Sequence, residues 1–259
     1  METLSSRKNS FIQHLRKLSA DRAYRTEQGE YICDGIKTLR EAMTFGAEIS
    51  SVLWKDKAEI FDLNSRQYVA PGELFDYASP MKNSPGPLFT VKMPVYSEAE
   101  PVKNAVVLEN VQDPGNVGTV VRTANAFGID CVILTDACAD LYNSKTVRAS
   151  MGAIFRQKVL YVPGEKLSSF LKEKGLKLYG AALSEKSVDV RSVSLKNAAV
   201  AIGSEGRGLS DKLLDSWEGS LNSVIVCDNA VLHRNVEVAT DENGLAGYGN
   251  VFNCFLVVS

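Results

Sequence analysis

The sequence is poor in the residues on which several classes of site depend. Only two of its 259 residues are histidine, His14 and His233, so a zinc site rich in histidine or a Ser-His-Asp triad has little to be built from. No run approaches the ~18 consecutive apolar residues of a transmembrane helix, and the first ten residues lack the apolar core of a secretion signal. The five cysteines are odd in number and form no C-x-x-C pair, which favours reduced, buried thiols. We therefore expect a cytoplasmic protein with no membrane segment and no metal.

Net charge is also scarce, and it is uneven along the chain. The formal net charge is −2, with 23% charged and 45% hydrophobic residues, which is typical of an ordinary globular protein rather than one coated in basic groups. Residues 1–25 nevertheless hold six Lys or Arg against two acidic residues, a local charge of +4. Such a patch can contact phosphate groups, and a solvated helix face is an equally common explanation.

Residues 105–130, AVVLENVQDPGNVGTVVRTANAFGID, predict a strand, a tight loop and a helix in succession. Residues 105–108 form the short apolar run of a buried parallel strand, and the turn formers at 113–115 end it. Asn116 stands at the expected helix start, where its amide can cap open N–H groups, and Gly128 is expected to close the helix. A buried stripe is predicted for Val117, Val120, Val121, Ala124 and Phe127.

Strand and helix patterns alternate from residue 105 onward, which predicts a parallel sheet covered by helices. Residues 93–104 contain two prolines and little periodicity, so we interpret them as a linker. The predicted domains are residues 1–97, which begin with an amphipathic helix at 10–20, and residues 105–259.

Three segments, in this order, are similar to the motifs of one family. Residues 113–128 contain Asp-Pro-x-Asn-x-Gly followed by Arg-Thr-Ala and Ala-Phe-Gly, residues 147–153 contain Arg-x-Ser-x-Gly, and residues 201–210 contain Gly-x-Glu-x-x-Gly. Together they resemble the SpoU (TrmH-type) RNA ribose methyltransferases. The resemblance implies an α/β fold, a parallel sheet with helices on both faces, in which the C-terminal part forms the trefoil knot of the SPOUT superfamily. It also implies that a small α/β RNA-binding domain precedes the catalytic one.

The same resemblance implies a reaction, transfer of a methyl group from S-adenosylmethionine to a ribose 2′-hydroxyl of RNA, with ribosomal RNA the expected substrate and a homodimer the expected assembly. Arg122 corresponds to the catalytic arginine of the family, which can hold the phosphate beside the target ribose; an unperturbed arginine is a poor base. Asn116 is expected to order its loop, and Glu205 to hydrogen-bond across the site to Asn116 or Arg122. Arg148 and Ser150 are expected to shape a loop near the RNA.

The cofactor-binding residues implied by the resemblance are Gly203 and Gly208 in the glycine-rich loop, Leu183 on the adenine side, and Ile225. Glycines allow the backbone to pass close to a ligand. Without the resemblance, GSEGRGLS is a glycine-rich loop before a helix, and phosphate binding is as compatible with it.

The C-terminal tail departs from the family pattern. The family carries an Ile-Pro-Met segment and then Ser-Leu-Asn opening an alanine-rich helix, but here residues 220–222 read Ser-Leu-Asn only ten positions after Ser210, and residues 223–227 read SVIVC. Residues 228–259 read as strands and turns. The tail is either a real divergence or the product of a shifted reading frame near residue 220. We favour the second, because the length is about right while the content is not; translation of the other two frames distinguishes them.

Two other functions compete with methyl transfer. A non-catalytic RNA-binding protein that keeps the scaffold fits the divergent tail, and the absence of cofactor binding would identify it. A nucleotide-binding oxidoreductase fits poorly, because the first loop lacks G-x-G-x-x-G.

Overall fold

Two five-stranded sheets contain the ten strands found in the part of the chain that the structure describes. The structure is a computed structural model that describes residues 1–59, 63–97, 99–181, 194–204, 207–210 and 213. It divides into a first unit of residues 1–96 and 140–156 and a second unit of residues 97–139 and 157–259.

The first unit is built on a mixed sheet. Its strands are β1 (Glu2–Thr3), β2 (Glu30–Asp34), β3 (Ile49–Lys55), β4 (Arg66–Ala70) and β5 (Leu88–Lys92), in the order β1-β4-β3-β5-β2. Strands β1, β4 and β3 run parallel, whereas β5 pairs antiparallel with both β3 and β2. The helices are α1 (Ser10–Ala20), α2 (Arg22–Gln28), α3 (Ile36–Thr44) and α4 (Gly72–Ala78). Helices α2 and α4 and strands β1 and β4 are short and carry little periodicity, so they were not predictable from the sequence.

Helix α1 has the bounds that the periodicity predicts. The side chain of Asn9 caps it by accepting from the backbone N–H groups of Phe11 and Ile12. The apolar stripe of α1 enters the core of this unit, while Phe11 stacks on Tyr68 with ring centroids 4.3 Å apart. That core consists of Leu4, Ile12, Leu15, Leu18, Ile32, Leu53, Ala70, Leu74, Phe75, Ala78 and Leu88.

Residues 140–156 pack within the first unit although they lie between two strands of the second. They form α6 (Ser144–Ala149) and a 3-10 helix (Ala153–Phe155). A buried ion pair anchors them, because the guanidinium of Arg25 is only 3% exposed and donates through Nε to Asp140 at 3.1 Å.

The second unit is an all-parallel sheet. Its strands are β6 (Asn104–Leu108), β7 (Cys131–Leu134), β8 (Val159–Tyr161), β9 (Lys177–Ala181) and β10 (Ala198–Ile202), in the order β8-β7-β6-β10-β9. Helix α5 (Pro114–Ala126) connects β6 to β7, and α7 (Gly164–Glu173) lies between β8 and β9. The predicted alternation of strands and helices around a parallel sheet is therefore confirmed.

Helix α5 begins earlier than the sequence predicted. Asp113 is its N-cap, and Asp113 Oδ1 accepts the backbone N–H of Asn116 at 2.9 Å, while Pro114 occupies the start of the first turn. The prediction that Asn116 caps the helix is wrong, because Asn116 lies inside the first turn and is itself the capped residue.

The C-terminal end of α5 is closed as predicted. Gly128 has a φ of 66°, its N–H donates to Asn125 O at 3.2 Å, and the N–H of Ile129 donates to Ala124 O at 2.9 Å. The predicted burial of Phe127 is wrong, since its side chain is 49% exposed. Phe127 follows the last residue of the helix, so helical spacing no longer governs where it points. The rest of the predicted stripe is buried.

The described cysteines are the buried free thiols that the sequence predicts: Cys33, Cys131 and Cys138. Burial raises the pKa of Cys131 to about 12, so this thiol is protonated near neutrality. Among the described residues, no helix is long and apolar enough to cross a membrane, and no group of acidic, cysteine and histidine side chains is placed to hold a metal ion.

Candidate active site

The two loops that carry the best-matched motifs begin at the same edge of the parallel sheet. Strands β6 and β10 are neighbours with Leu108 opposite Ile202, although the two residues lie more than ninety positions apart in sequence. The ladder continues one step beyond the strands, where the N–H of Glu109 donates to Ile202 O at 2.8 Å. Ligands of open α/β sheets bind outside the carboxyl ends of the strands, and both loops start there.

The loop after β10 folds back on itself in a tight turn. The N–H of Ser204 donates to Gly208 O at 3.2 Å, and the N–H of Gly208 donates to Ser204 O at 2.8 Å. A Cβ atom on Gly203 would lie 2.0 Å from the carbonyl carbon of Gly208 and 2.3 Å from the nitrogen of Leu209. Glycine is therefore required at position 203 by the closed turn itself.

Two residues that the sequence analysis missed join this turn to the first loop. The carboxylate of Glu109, 9% exposed, accepts the backbone N–H of Ser210 at 2.7 Å and the Ser210 hydroxyl at 2.6 Å. The sequence contained one signal for Glu109, its position directly after the apolar run of residues 105–108. A carboxylate at the end of a buried strand is rarely buried unless it has a partner.

The two predicted catalytic residues that the structure describes both lie on α5. Arg122 is exposed between the buried residues Val121 and Thr123, which agrees with its predicted position away from the apolar stripe. Asn116 is half-buried in the first turn of the helix. The roles of both residues stay predictions.

Three of the predicted site residues lie outside the described residues: Leu183, Glu205 and Ile225. The same is true of the Ser-Leu-Asn segment and of the rest of the tail. The hydrogen bond expected from Glu205 to Asn116 or Arg122 therefore stays a prediction.

The Arg-x-Ser-x-Gly segment belongs to the first unit. Ser150 is fully buried and its hydroxyl donates to Val147 O at 2.6 Å, so it serves the end of α6. Arg148 is exposed, with its Nη1 3.3 Å from Met81 Sδ. Gly152, with a φ of 87°, allows the close approach of Glu41, whose Cβ would lie 3.0 Å from an added methyl group.

Basic and aromatic side chains meet on the N-terminal part of the first unit. The guanidinium carbons of Arg7 and Arg16 lie 4.7 Å and 4.1 Å from the ring centroid of Tyr77, and both arginines are exposed. Of the six basic residues among the first 25, Arg25 does not contribute to the surface, because it is buried against Asp140.

Comparison with known proteins identifies the family. Residues 103–240, more than half of the chain, match the SpoU rRNA Methylase family. The chain therefore belongs to this family, as its three motifs predict, and the predicted class of enzyme, an RNA methyltransferase, is confirmed with it.

Individual relatives agree with this result. The chain is 28% identical over 241 residues to 23S rRNA (guanosine(2553)-2′-O)-methyltransferase RlmP of Bacillus subtilis. The aligned residues cover 92% of this chain and 96% of the relative. The crystal structure of the SpoU methyltransferase AviRb from Streptomyces viridochromogenes has a TM-score of 0.76 at 21% identity and covers 96% of both chains. An AdoMet-bound rRNA methyltransferase from Sinorhizobium meliloti has a TM-score of 0.76 at 20% identity, covering 99% of this chain and 95% of the other. These structures confirm the predicted α/β fold with a parallel sheet and helices.

Proposed function

We propose that this protein transfers a methyl group from S-adenosylmethionine to a ribose 2′-hydroxyl of ribosomal RNA. The observation that carries the proposal is that the first-motif loop and the glycine turn meet at the carboxyl edge of the parallel sheet, joined by Glu109 and Ser210, in a chain of the SpoU family. The name of the Bacillus subtilis relative, a 23S rRNA 2′-O-methyltransferase, supports both the ribose and the ribosomal RNA.

S-adenosylmethionine supplies a methyl group attached to a positively charged sulfur. Methyl transfer forms a bond between ribose O2′ and the methyl carbon, breaks the carbon–sulfur bond, and releases the hydroxyl proton. The task of Arg122 is to hold the phosphate next to that ribose, because a guanidinium donates two parallel hydrogen bonds to phosphate oxygens. Fixing the ribose in an attack geometry lowers the barrier by removing the entropic cost of alignment.

The cofactor belongs at the glycine turn. Gly203 allows the close approach that narrows the turn, and Gly208 supplies its positive φ of 68°. The edge where the turn lies is the one at which α/β sheets receive their ligands. Residues 183 and 225 are proposed to complete the cofactor site, and Glu205 to hydrogen-bond to Asn116 or Arg122. Residues 105–259 are proposed as the methyltransferase domain, and the family match, which begins at residue 103, supports its start. Residues 140–156 of this stretch pack within the first unit.

Residues 1–97 are proposed to bind the RNA through Arg7 and the basic face of α1. The guanidinium carbons of Arg7, which precedes α1, and of Arg16, on α1, lie 4.7 Å and 4.1 Å from the ring centroid of Tyr77. Both arginines are exposed, so they are available to phosphate groups. Replacing both arginines with alanine should weaken RNA binding and lower the salt dependence of the binding constant by about two phosphate contacts. Replacing Lys37 and Arg40, which are exposed on α3, is the charge-matched control. Equal salt dependence in the two double variants contradicts this role for α1.

We further propose that the chain acts as a homodimer in the cytoplasm, without a metal ion, and that its C-terminal part forms the SPOUT trefoil knot. The family resemblance supports the homodimer and the knot, the reduced cysteines support the cytoplasm, and the presence of only two histidines supports a reaction without a metal ion.

The activity itself is tested by transfer of a labelled methyl group from S-adenosylmethionine to unmodified ribosomal RNA. The wild-type protein should label the RNA, and Arg122→Ala should reduce the rate by roughly 100-fold or more, a loss typical of removing one preorganised electrostatic contact. Arg66→Ala, which removes an exposed arginine from the start of β4, is the matched control and should label RNA like the wild type. Equal incorporation by Arg122→Ala and the wild type would remove Arg122 from the mechanism.

A further inference from the structure

Both oxygens of the Glu109 carboxylate accept hydrogen bonds from a single residue of the glycine turn. Oε2 accepts the backbone N–H of Ser210 at 2.7 Å, and Oε1 accepts the Ser210 hydroxyl at 2.6 Å. Ser210 is therefore the donor in both of these bonds. Glu109 is 9% exposed and Ser210 is half-buried, so water reaches the carboxylate only in part.

Burial makes this contact informative. An ionised carboxylate that leaves water loses its hydration, and only strong hydrogen bonds or opposite charges offset that loss. Hydrogen bonds to a charged acceptor are shorter and stronger than those between neutral groups, and both distances here lie at the short end of the normal range. The Glu109–Ser210 pair is therefore a defined clamp rather than a chance surface contact.

The clamp holds the far end of the turn at a fixed place. The near end is held by the pairing of β10 with β6, which places Ile202 opposite Leu108 and extends to the Glu109 amide. The far end is held by the Glu109 carboxylate through Ser210, directly after Leu209, which is 7% exposed. A single residue at the end of β6 thus fixes both ends of the turn that starts at Gly203.

We propose that Glu109 is a positioning residue that holds the glycine turn, through Ser210, in the conformation that binds the cofactor. This inference rests on the proposed function, in which the turn forms part of the S-adenosylmethionine site. Glu109 acts on the cofactor only through Ser210 and touches none of the reacting atoms.

The experiment compares the full-length wild-type protein with Ser210→Ala, Glu109→Gln and the double variant. Isothermal titration calorimetry with S-adenosylmethionine gives the dissociation constant, and hydrogen exchange of the Gly208 amide, which donates to Ser204 O, reports the closed turn without any cofactor. Ser169→Ala and Glu165→Gln are matched controls, since both residues are exposed on α7 and the substitutions remove the same chemical groups.

Each single variant should bind the cofactor roughly 10- to 100-fold more weakly, because hydrogen bonds to a buried charge are lost, and the Gly208 amide should exchange faster. The double variant should be no weaker than the worse single one, since the two residues act as one contact. Both controls should match the wild type.

Three outcomes overturn the inference, and they separate it from the proposed function. Wild-type affinity in all variants, with the wild type binding cofactor, refutes the positioning role and leaves the function standing. If the loss of binding free energy in the double variant equals the sum of the losses in the two single variants, the two residues act independently, and the clamp is not the cause of the weaker binding. A wild-type protein that releases no heat with millimolar S-adenosylmethionine refutes the proposed function, and this inference falls with it.

Discussion

The substitution Gly203→Ala gives the sharpest test of how the glycine turn is built. The added methyl carbon would lie 2.0 Å from the Gly208 carbonyl carbon, 2.1 Å from its oxygen and 2.3 Å from the Leu209 nitrogen. All three atoms belong to the backbone, so no side chain can rotate out of the way. Relief of the clash requires the backbone of residues 208–209 to move away from residue 203.

The size of that retreat determines the cost. An ordinary van der Waals contact begins near 3.4 Å, so the backbone must withdraw by more than an ångström. The two hydrogen bonds between Ser204 and Gly208, now 2.8 Å and 3.2 Å, do not survive such a shift. Each backbone hydrogen bond contributes about 0.5–1.5 kcal/mol net, so the open turn is disfavoured by about 1–3 kcal/mol. If the cofactor requires the closed turn, its affinity falls by roughly 10- to 100-fold.

The assay pairs calorimetric titration of S-adenosylmethionine with urea unfolding, so that loss of the turn is separated from loss of the fold. Gly164→Ala is the matched control, because its Cβ would lie 3.9 Å from its nearest neighbour, Asp136 Oδ2, at the start of α7. The control should keep wild-type affinity and stability. A Gly203→Ala protein that binds cofactor as tightly as the wild type would refute the reasoning, because the turn would then tolerate a side chain or play no part in binding.

The remaining predictions concern buried charges in the first unit. Asp140→Ala leaves the guanidinium of Arg25 buried without its carboxylate, so we expect a loss of about 3–5 kcal/mol in the free energy of unfolding by urea; a loss below about 1 kcal/mol contradicts the burial of the pair. Burial opposes ionisation of Glu30, but hydrogen bonds from His14 and other neighbours and the charge of Lys92 prevail and lower its pKa from 4.5 to about 2. A lowered folded-state pKa stabilises the protein above pH 4.5, and this contribution, on the order of 3 kcal/mol, is lost as the pH falls towards 2. Glu30→Gln should therefore flatten the pH dependence of unfolding between pH 4.5 and 2, and an unchanged slope would show that Glu30 does not cause it.

Regular elements with a clear hydrophobic period were predictable from the sequence, because the spacing of apolar residues within each element determines which face is buried. Helix α1 has the predicted bounds, because its apolar stripe sets them, and strand β6 begins one residue before the apolar run predicted at 105–108. The first turn of α5 was misread for a local reason as well: Asp113 and Asn116 are both good caps, and only the backbone conformation decides that Asp113 takes the role.

Contacts between distant parts of the chain were not predictable from periodicity. Arg25 looked like one more residue of a basic surface, and only the return of residues 140–156 to the first unit provides the carboxylate that buries it. The same holds for the candidate site. The family motifs locate Arg122 and Gly203, but the Glu109–Ser210 clamp joins residues 101 positions apart, and a spacing rule within either loop contains no information about that pairing.

The most direct test of the proposed reaction is the chemical position of the transferred methyl group. RNA labelled by the wild-type protein is digested to nucleosides and separated by liquid chromatography with mass spectrometry. Wild-type protein should yield a 2′-O-methylnucleoside, and in the undigested RNA the linkage beside that nucleoside should resist alkaline hydrolysis. The product should be lost in Arg122→Ala. A label that resides on a base, or unlabelled RNA in the presence of bound cofactor, would contradict it.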